Sequence, residues 1–200
     1  IAGLSKTSPS FFYPPPTTFL GALGESIARK LEVGEFAGRK IIASLGKNLL
    51  AFGIRPLNCV TQKYEDLNRI IAVKLTRGIH YPDPTDIFAS YDSPARGKTI
   101  LISLDSDSPL MRFFLVFKKD QVVFGERNLE LDENSFWRIH RIGSKESVVS
   151  VIDVRRKDGV EAEEGRTTSK YSFPVVNGVK PHDPQGNWFY EVYTSPKNIS

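Results

Sequence analysis

The chain has 200 residues, 40% of them apolar and 25% charged, a balance that supports a packed core and excludes global disorder. No window reaches the ~20 consecutive apolar residues of a membrane-spanning helix. A single cysteine, Cys59, excludes an internal disulfide and a cysteine-rich metal site, and His80, His140 and His182 lie too far apart for an HExxH-type centre.

The net charge of +4 matters less than its distribution. Residues 1–60 carry seven basic and three acidic side chains, and residues 138–157 carry six and two. The stretches between and after these blocks are slightly acidic. Two basic blocks predict one positive face, which fits a polyanion partner. Ordinary charge fluctuation on a solvated surface is the plainer explanation from charge alone.

In chain order, Ile1 opens the sequence, with no charged region followed by an apolar one as in a secretory leader. The expected compartment is therefore the cytoplasm, which also suits a free cysteine. Phe11-Phe12-Tyr13-Pro14-Pro15-Pro16 predicts a stiff, extended entry. Thr17 or Thr18 is then placed to cap a helix. Leu20, Leu23, Ile27 and Leu31 fall on one face of that helix, and Arg29 and Lys30 suit the dipole of its last turn. Gly21 and Gly24 predict close approach of another backbone, of a ligand or of a sheet.

Leu50–Ile54 and Ile70–Leu75 are weak strand candidates. The segment from His80 to Lys98 contains Pro82, Pro84 and Pro94 and predicts a long loop or projecting arm. Thr99–Leu104 alternates as a strand, and Phe113–Phe117 is apolar enough for a strand covered on both faces. A short helix is expected from Asn134 to Arg141, ending at Gly143. Val148–Val154 predicts a strand, as do the alternations Tyr171/Phe173/Val175 and Trp188/Tyr190/Val192. Lys157–Lys170 predicts a solvated hairpin tip. The sum is an α+β domain with an antiparallel sheet.

Motifs for known chemistries are mostly absent. Gly97-Lys98-Thr99 lacks the upstream glycine of a phosphate-binding loop, since Asp92 stands there, and it precedes a strand instead of a helix. Gly21-Ala22-Leu23-Gly24 mimics a GxxG loop, but the proline run before it does not fit a KH domain. No GxSxG elbow is present, and Cys59 reads as a small buried hydrophobe. His140 between Arg138 and Arg141, or His80 beside Tyr81, or Tyr13 near Lys6, are the candidates for metal-independent RNA cleavage, against ordinary surface roles. The richer constellation is Arg138 to Ser147, where cations, small hydroxyls and a glycine turn combine as in phosphate-contacting segments.

The run Phe12-Tyr13-Pro14-Pro15-Pro16-Thr17-Thr18-Phe19-Leu20-Gly21-Ala22-Leu23 resembles the signature of CRISPR-associated family 5 proteins, especially the archaeal type I-A branch. Arg138 to Val151, with Arg141-Ile142-Gly143-Ser144-Lys145-Glu146-Ser147, resembles the second block of that family. The resemblance covers most of the chain and follows the family's order. It departs in one respect: the family's first strand precedes the proline block, and only Ile1–Ser10 stands before it here.

The resemblance implies a ferredoxin-like, RNA-recognition-like domain of the RAMP superfamily over 1–157, with an inserted arm or thumb at about 78–98. A C-terminal β-rich extension would occupy 158–200. It implies a non-catalytic Cascade subunit that grips the 5′ handle of the CRISPR RNA and caps the backbone-subunit filament. It would also contact the large subunit and meet target DNA only indirectly, without cofactor or membrane. In another branch the family member cleaves precursor RNA, so a metal-independent endoribonuclease is the alternative. For a single-stranded handle, Lys6, Thr17, Thr18, Arg141, Ser144 and Lys145 would then hold phosphate and sugar. Tyr13, Tyr81 or Tyr91 would stack on a base, worth ~1–3 kcal/mol each. Arg96 and Lys98 would close the arm over the RNA, and Arg155 or its neighbour Arg156 would extend the positive face, only one of them per face.

Overall fold

The computed structural model describes residues 10–67, 95–125, 127–144, 146–175, 179–182, 191–193 and 195–198. Three helices and six strands are assigned among them: α1 (Pro16–Lys30), α2 (Glu35–Asn48), β1 (Leu49–Pro56), β2 (Cys59–Leu67), β3 (Ala95–Ser103), β4 (Met111–Phe117), β5 (Gln121–Phe124), β6 (Arg127–Glu130) and α3 (Glu133–Trp137). All strand pairing is antiparallel, in three two-stranded ladders, β1–β4, β2–β3 and β5–β6. The class is the expected α+β with antiparallel pairing.

The chain divides into two compact units, one of Ile1–Tyr13 with Asn58–Pro109, the other of Pro14–Leu57 with Leu110–Ser200. In the first unit β2 and β3 pair from Cys59↔Ser103 to Leu67↔Ala95. Cys59 is buried, as its sequence context predicts. Phe12 lies under the Lys63 ammonium at 3.7 Å, and Thr99 hydrogen-bonds the Phe11 carbonyl and Ser10. Val60, Ile100, Ile102 and Leu104 share the other, exposed face. Residues 78–94 of the expected arm lie outside the described residues, as does Ile70–Leu75. Residues 95–98 open β3.

The second unit is built on α1. Pro15 holds an extended φ/ψ of −56°/154°, and Pro16 occupies the first helical position, where its missing N–H costs nothing. The helix therefore starts two residues earlier than a Thr17 cap would place it, and three earlier than a Thr18 cap. Thr17 and Thr18 sit inside the first turn, and the Thr18 N–H donates to the Pro15 carbonyl at 2.9 Å. The apolar stripe behaves as its spacing dictates. Leu20 and Leu23 are fully buried and Ile27 nearly so, each such side chain worth about 1.5–3 kcal/mol against exposure.

Helix α2 is not anticipated by the sequence reading. Its Ile41 and Leu45, with Leu49 beyond, do recur at helical spacing, but Gly38 and Gly46 lower its intrinsic propensity. It packs on α1 so closely that a Cβ at Gly24 would fall on the Ile42 side chain. That contact explains Gly24. Gly21 has nothing within 4 Å of its Cβ position.

The core joins α1, α2, Leu49, Val122, Leu131 and Ile139. On one face of the β1–β4 ladder, Phe52 and Phe113 hold Phe19 of α1, with ring centroids 5.7 and 4.7 Å away. The other face of β4 is not covered as a central strand would be, and Phe114 is 47% exposed. Helix α2 also closes the outer edge of β5: Ser44 Oγ accepts from the Val123 N–H at 3.0 Å, and Asn48 Nδ2 donates to the Gln121 carbonyl at 3.0 Å.

Three expectations for the C-terminal half need correction. Helix α3 runs only from Glu133 to Trp137, because Ile139 turns into the core at 4% exposure and the chain then doubles back. Val148–Val154 keeps alternating burial, with Val149 and Val151 packed on the core and Val148 and Ile152 exposed. It forms only one bridge, Arg141↔Val148: alternation needs an apolar surface beneath, whereas a ladder needs a free strand edge beside it. The alternation Tyr171/Phe173/Val175 carries no assigned strand. There Ser172 meets the edge of β1, its N–H donating to the Ile54 carbonyl and its Oγ accepting from the Ile54 N–H, both at 2.9 Å. A side chain thus replaces one backbone partner and no regular ladder follows. Trp188 and Tyr190 lie outside the described residues.

Candidate nucleic-acid interface

Two sequence blocks, meeting through Thr18 and Gly143 at a separation of 125 positions, come together at the start of α1. After α3 the chain forms a tight hairpin. The Val149 N–H donates to the His140 carbonyl at 2.9 Å, Ile142 N–H to Ser147 O at 3.1 Å, and Ser147 N–H to Ser144 O at 3.1 Å. Ser144 and Ser147 join their hydroxyls at 3.0 Å. Gly143 sits at φ +105°, a conformation that favours glycine. A Cβ built on it would lie 3.8 Å from Thr18 Cγ2 and 3.6 Å from Ser147 Oγ. The hairpin tip therefore faces the first turn of α1.

Lower on the helix the same two segments meet again. His140 Nδ1 lies 3.8 Å from Glu25 Oε2, and the other Glu25 oxygen pairs with Arg29. Below that, Ser26 Oγ donates to the Ser135 carbonyl at 2.5 Å, and Lys30 pairs with Asp132 at 2.6 Å. Asp132 also caps α3, accepting from the Ser135 N–H at 3.0 Å and its hydroxyl at 2.6 Å. Burial pushes the Asp132 carboxyl up, but the Lys30 and Ser135 hydrogen bonds outweigh it and hold the pKa at about 2. A cavity of about 250 Å³ opens beside this pair, lined by Ile27, Lys30, Leu31, Leu129, Asp132 and Ser135.

The expected contact residues fall into four groups. Thr17, Thr18, Arg141 and Ser144 come together: the threonines and Arg141 are half-buried and Ser144 is exposed. Tyr13 and Lys98 belong to the other unit. There Tyr13 is half-buried and Lys98 is exposed on β3 opposite Tyr64. Arg96 holds the register position opposite Asp66. Lys6, Tyr81, Tyr91 and Lys145 lie outside the described residues. Arg155 is exposed and pairs with Asp153 at 2.9 Å. Its neighbour Arg156 is gathered by Asp158, Glu130 and Asp120 at 3.1–3.4 Å, Asp158 first among the causes that raise its pKa.

Sequence reading missed Glu25, and it included Ser147 in the constellation without giving it a role. Glu25 lies two helical turns beyond Thr18 on the face toward the hairpin, a spacing that was available as a signal. Ser147 closes its turn only through the Ser144 partnership, which no local pattern announces. The chemistry on offer is directional hydroxyl and backbone bonding beside a cation, suited to holding a phosphodiester backbone.

No family model and no curated protein matches the chain. Among solved structures, it is similar to a CRISPR protein from Archaeoglobus fulgidus, with 48% sequence identity, 77% of this chain covered and a TM-score of 0.49. The chain spans about half the length of that protein, 54%. No helix among the described residues is long and apolar enough to cross a membrane.

Proposed function

We propose that the chain is a CRISPR-associated family 5 protein of the type I-A branch, a non-catalytic Cascade subunit that holds the 5′ handle of the CRISPR RNA. Its 48% identity to an archaeal CRISPR protein supports the association with that system. The observation that carries the RNA role is the meeting of Thr18 with the Gly143 turn. It brings the two blocks of family resemblance to one place, with Arg141 and Ser144 beside them.

In this reading the handle's phosphates lie against Thr17, Thr18 and Ser144, and Arg141 with Lys145 supplies the counter-charge. Gly143 lets the sugar–phosphate backbone approach where a side chain would stand. The subunit caps one end of the backbone filament and touches the large subunit, in the cytoplasm, while guide pairing reads the target. Binding of a labelled handle oligonucleotide across a salt series tests this. The double variant Arg141→Gln/Lys145→Gln lowers affinity and flattens the logarithmic salt slope by about 1.4, from ~0.7 per lost contact. An unchanged slope sinks the site.

The geometry of His140 gives the alternative a specific footing. The His140 imidazole, with its Nδ1 3.8 Å from the Glu25 carboxylate, stands beside an acceptor that would orient it as a general base once drawn into hydrogen-bond distance. Incubation with precursor RNA in EDTA separates the two readings. Cleavage at the handle, abolished by His140→Ala, establishes the endoribonuclease; intact RNA that stays bound supports the holding role.

A further inference from the structure

We infer that the β1–β4 ladder carries a second contact for single-stranded nucleic acid, on the face turned away from α1. Arg55 and Arg112 stand directly opposite each other in the ladder. Like charges at facing positions repel and destabilise a sheet. Among the described residues no carboxylate lies within ion-pairing distance of either guanidinium, although Arg29, Arg39, Arg155 and Arg156 each have one. Two arginines held together with no counter-charge among the described residues form a site for an external anion.

The next facing pair supplies the aromatic element. It is Gly53 and Phe114, on the same face as the arginines because side chains alternate along a strand. Gly53 leaves room there for the Tyr171 side chain and the Ser172 carbonyl, which a Cβ would meet at 3.2 and 2.8 Å. Tyr171 lies against Phe114 with ring centroids 5.9 Å apart, and Phe114 remains 47% exposed. A propped, exposed ring beside two unpaired guanidinium groups offers one surface for a base and one for its phosphates. That combination is what single strands require, and a duplex, whose bases are already stacked, cannot use the ring. An acidic peptide would satisfy the arginines but leave the ring without a partner.

This contact does not depend on the handle-holding role. The test uses the full chain with fluorescent twelve-residue oligouridylate and oligothymidylate, read by anisotropy across a salt series. Arg55→Gln/Arg112→Gln is expected to lower affinity at least tenfold and to reduce the oligouridylate salt slope by about 1.4. Phe114→Ala lowers affinity at least about fivefold. Arg55→Glu, which gives Arg112 an ion-pair partner, abolishes binding while the melting temperature holds or rises. Unfolding therefore does not explain the loss. Equal binding of both oligomers assigns the face to single strands generally; preference for oligouridylate assigns it to RNA. In the Thr18→Val/Ser144→Ala background, Arg55→Gln/Arg112→Gln still lowers oligouridylate affinity, whether or not handle binding is lost. Unchanged affinity in the double arginine variant, indifference to Phe114→Ala, or equal displacement by polyglutamate overturns the inference.

Discussion

The two blocks that meet at the start of α1 are held by different forces. The first, from Pro16 through Ile27, is fixed by burial: Leu20 and Leu23 have no exposed surface, and Phe19 is clasped by Phe52 and Phe113. The second, from Ile139 to Val149, has only Ile139 fully in the core, with Ile142 and Val149 partly buried against it, and its tip is shaped by backbone bonds and a serine pair. A rigid helix is thus set against a turn whose polar groups stay near solvent. The difference assigns position to one side and adaptable bonding to the other, since packing resists deformation while solvent-exposed turns open locally at small cost.

Substitutions on the two sides should separate these roles. Leu23→Ala removes a fully buried side chain and is expected to cost about 2–5 kcal/mol in urea unfolding, with handle affinity unchanged where the variant remains folded. Gly24→Val places a branched side chain where Ile42 already sits, and should cost about 1–3 kcal/mol by overpacking. On the turn side, Gly143→Ala puts a Cβ on a backbone at φ +105°. It is expected to cost about 1–2 kcal/mol and, unlike the core variants, to weaken handle binding in the soluble, folded protein. Similar binding losses on both sides would erase the distinction.

The smallest effect concerns the lower end of the same contact. The Asp132 carboxyl is held at about 2, against an ordinary 3.8. Its folded pKa is depressed, so its contribution to stability is full above about pH 4–5 and disappears as pH falls toward 2. Asp132→Ala should lower stability at neutral pH by about 0.5–2 kcal/mol, through loss of the α3 cap, and flatten the acid limb of a melting-temperature profile. An identical acid limb in both proteins would show that Lys30 and Ser135 do not hold the carboxylate.

Periodicity made α1 legible: four apolar residues at helical spacing and a proline entry left no competing assignment. Strands β1, β3 and β4 were legible for the same reason. Helix α2 was not, because its glycines and charged first turn mask a stripe of only Ile41, Leu45 and Leu49. The strand expected over Val148–Val154 illustrates the converse. Its alternation was real, yet pairing depends on a distant edge that local residues do not encode. For the site, Thr17, Thr18, Arg141 and Ser144 were readable as residue types that suit phosphate. Their meeting was not, since it follows from packing Ile139 into the α1 core. The facing arginines of β1 and β4 were hidden because register is decided across 57 positions of chain.

The polar groups of α2 at the rim of β5 carry a consequence for handling the protein. A strand margin with idle amides is a template on which neighbouring molecules can zip into aggregates. Ser44 and Asn48 occupy two of those positions in β5. Replacing both with alanine would uncover a sticky seam, and concentrated preparations of that variant would be expected to turn cloudy before the parent chain does.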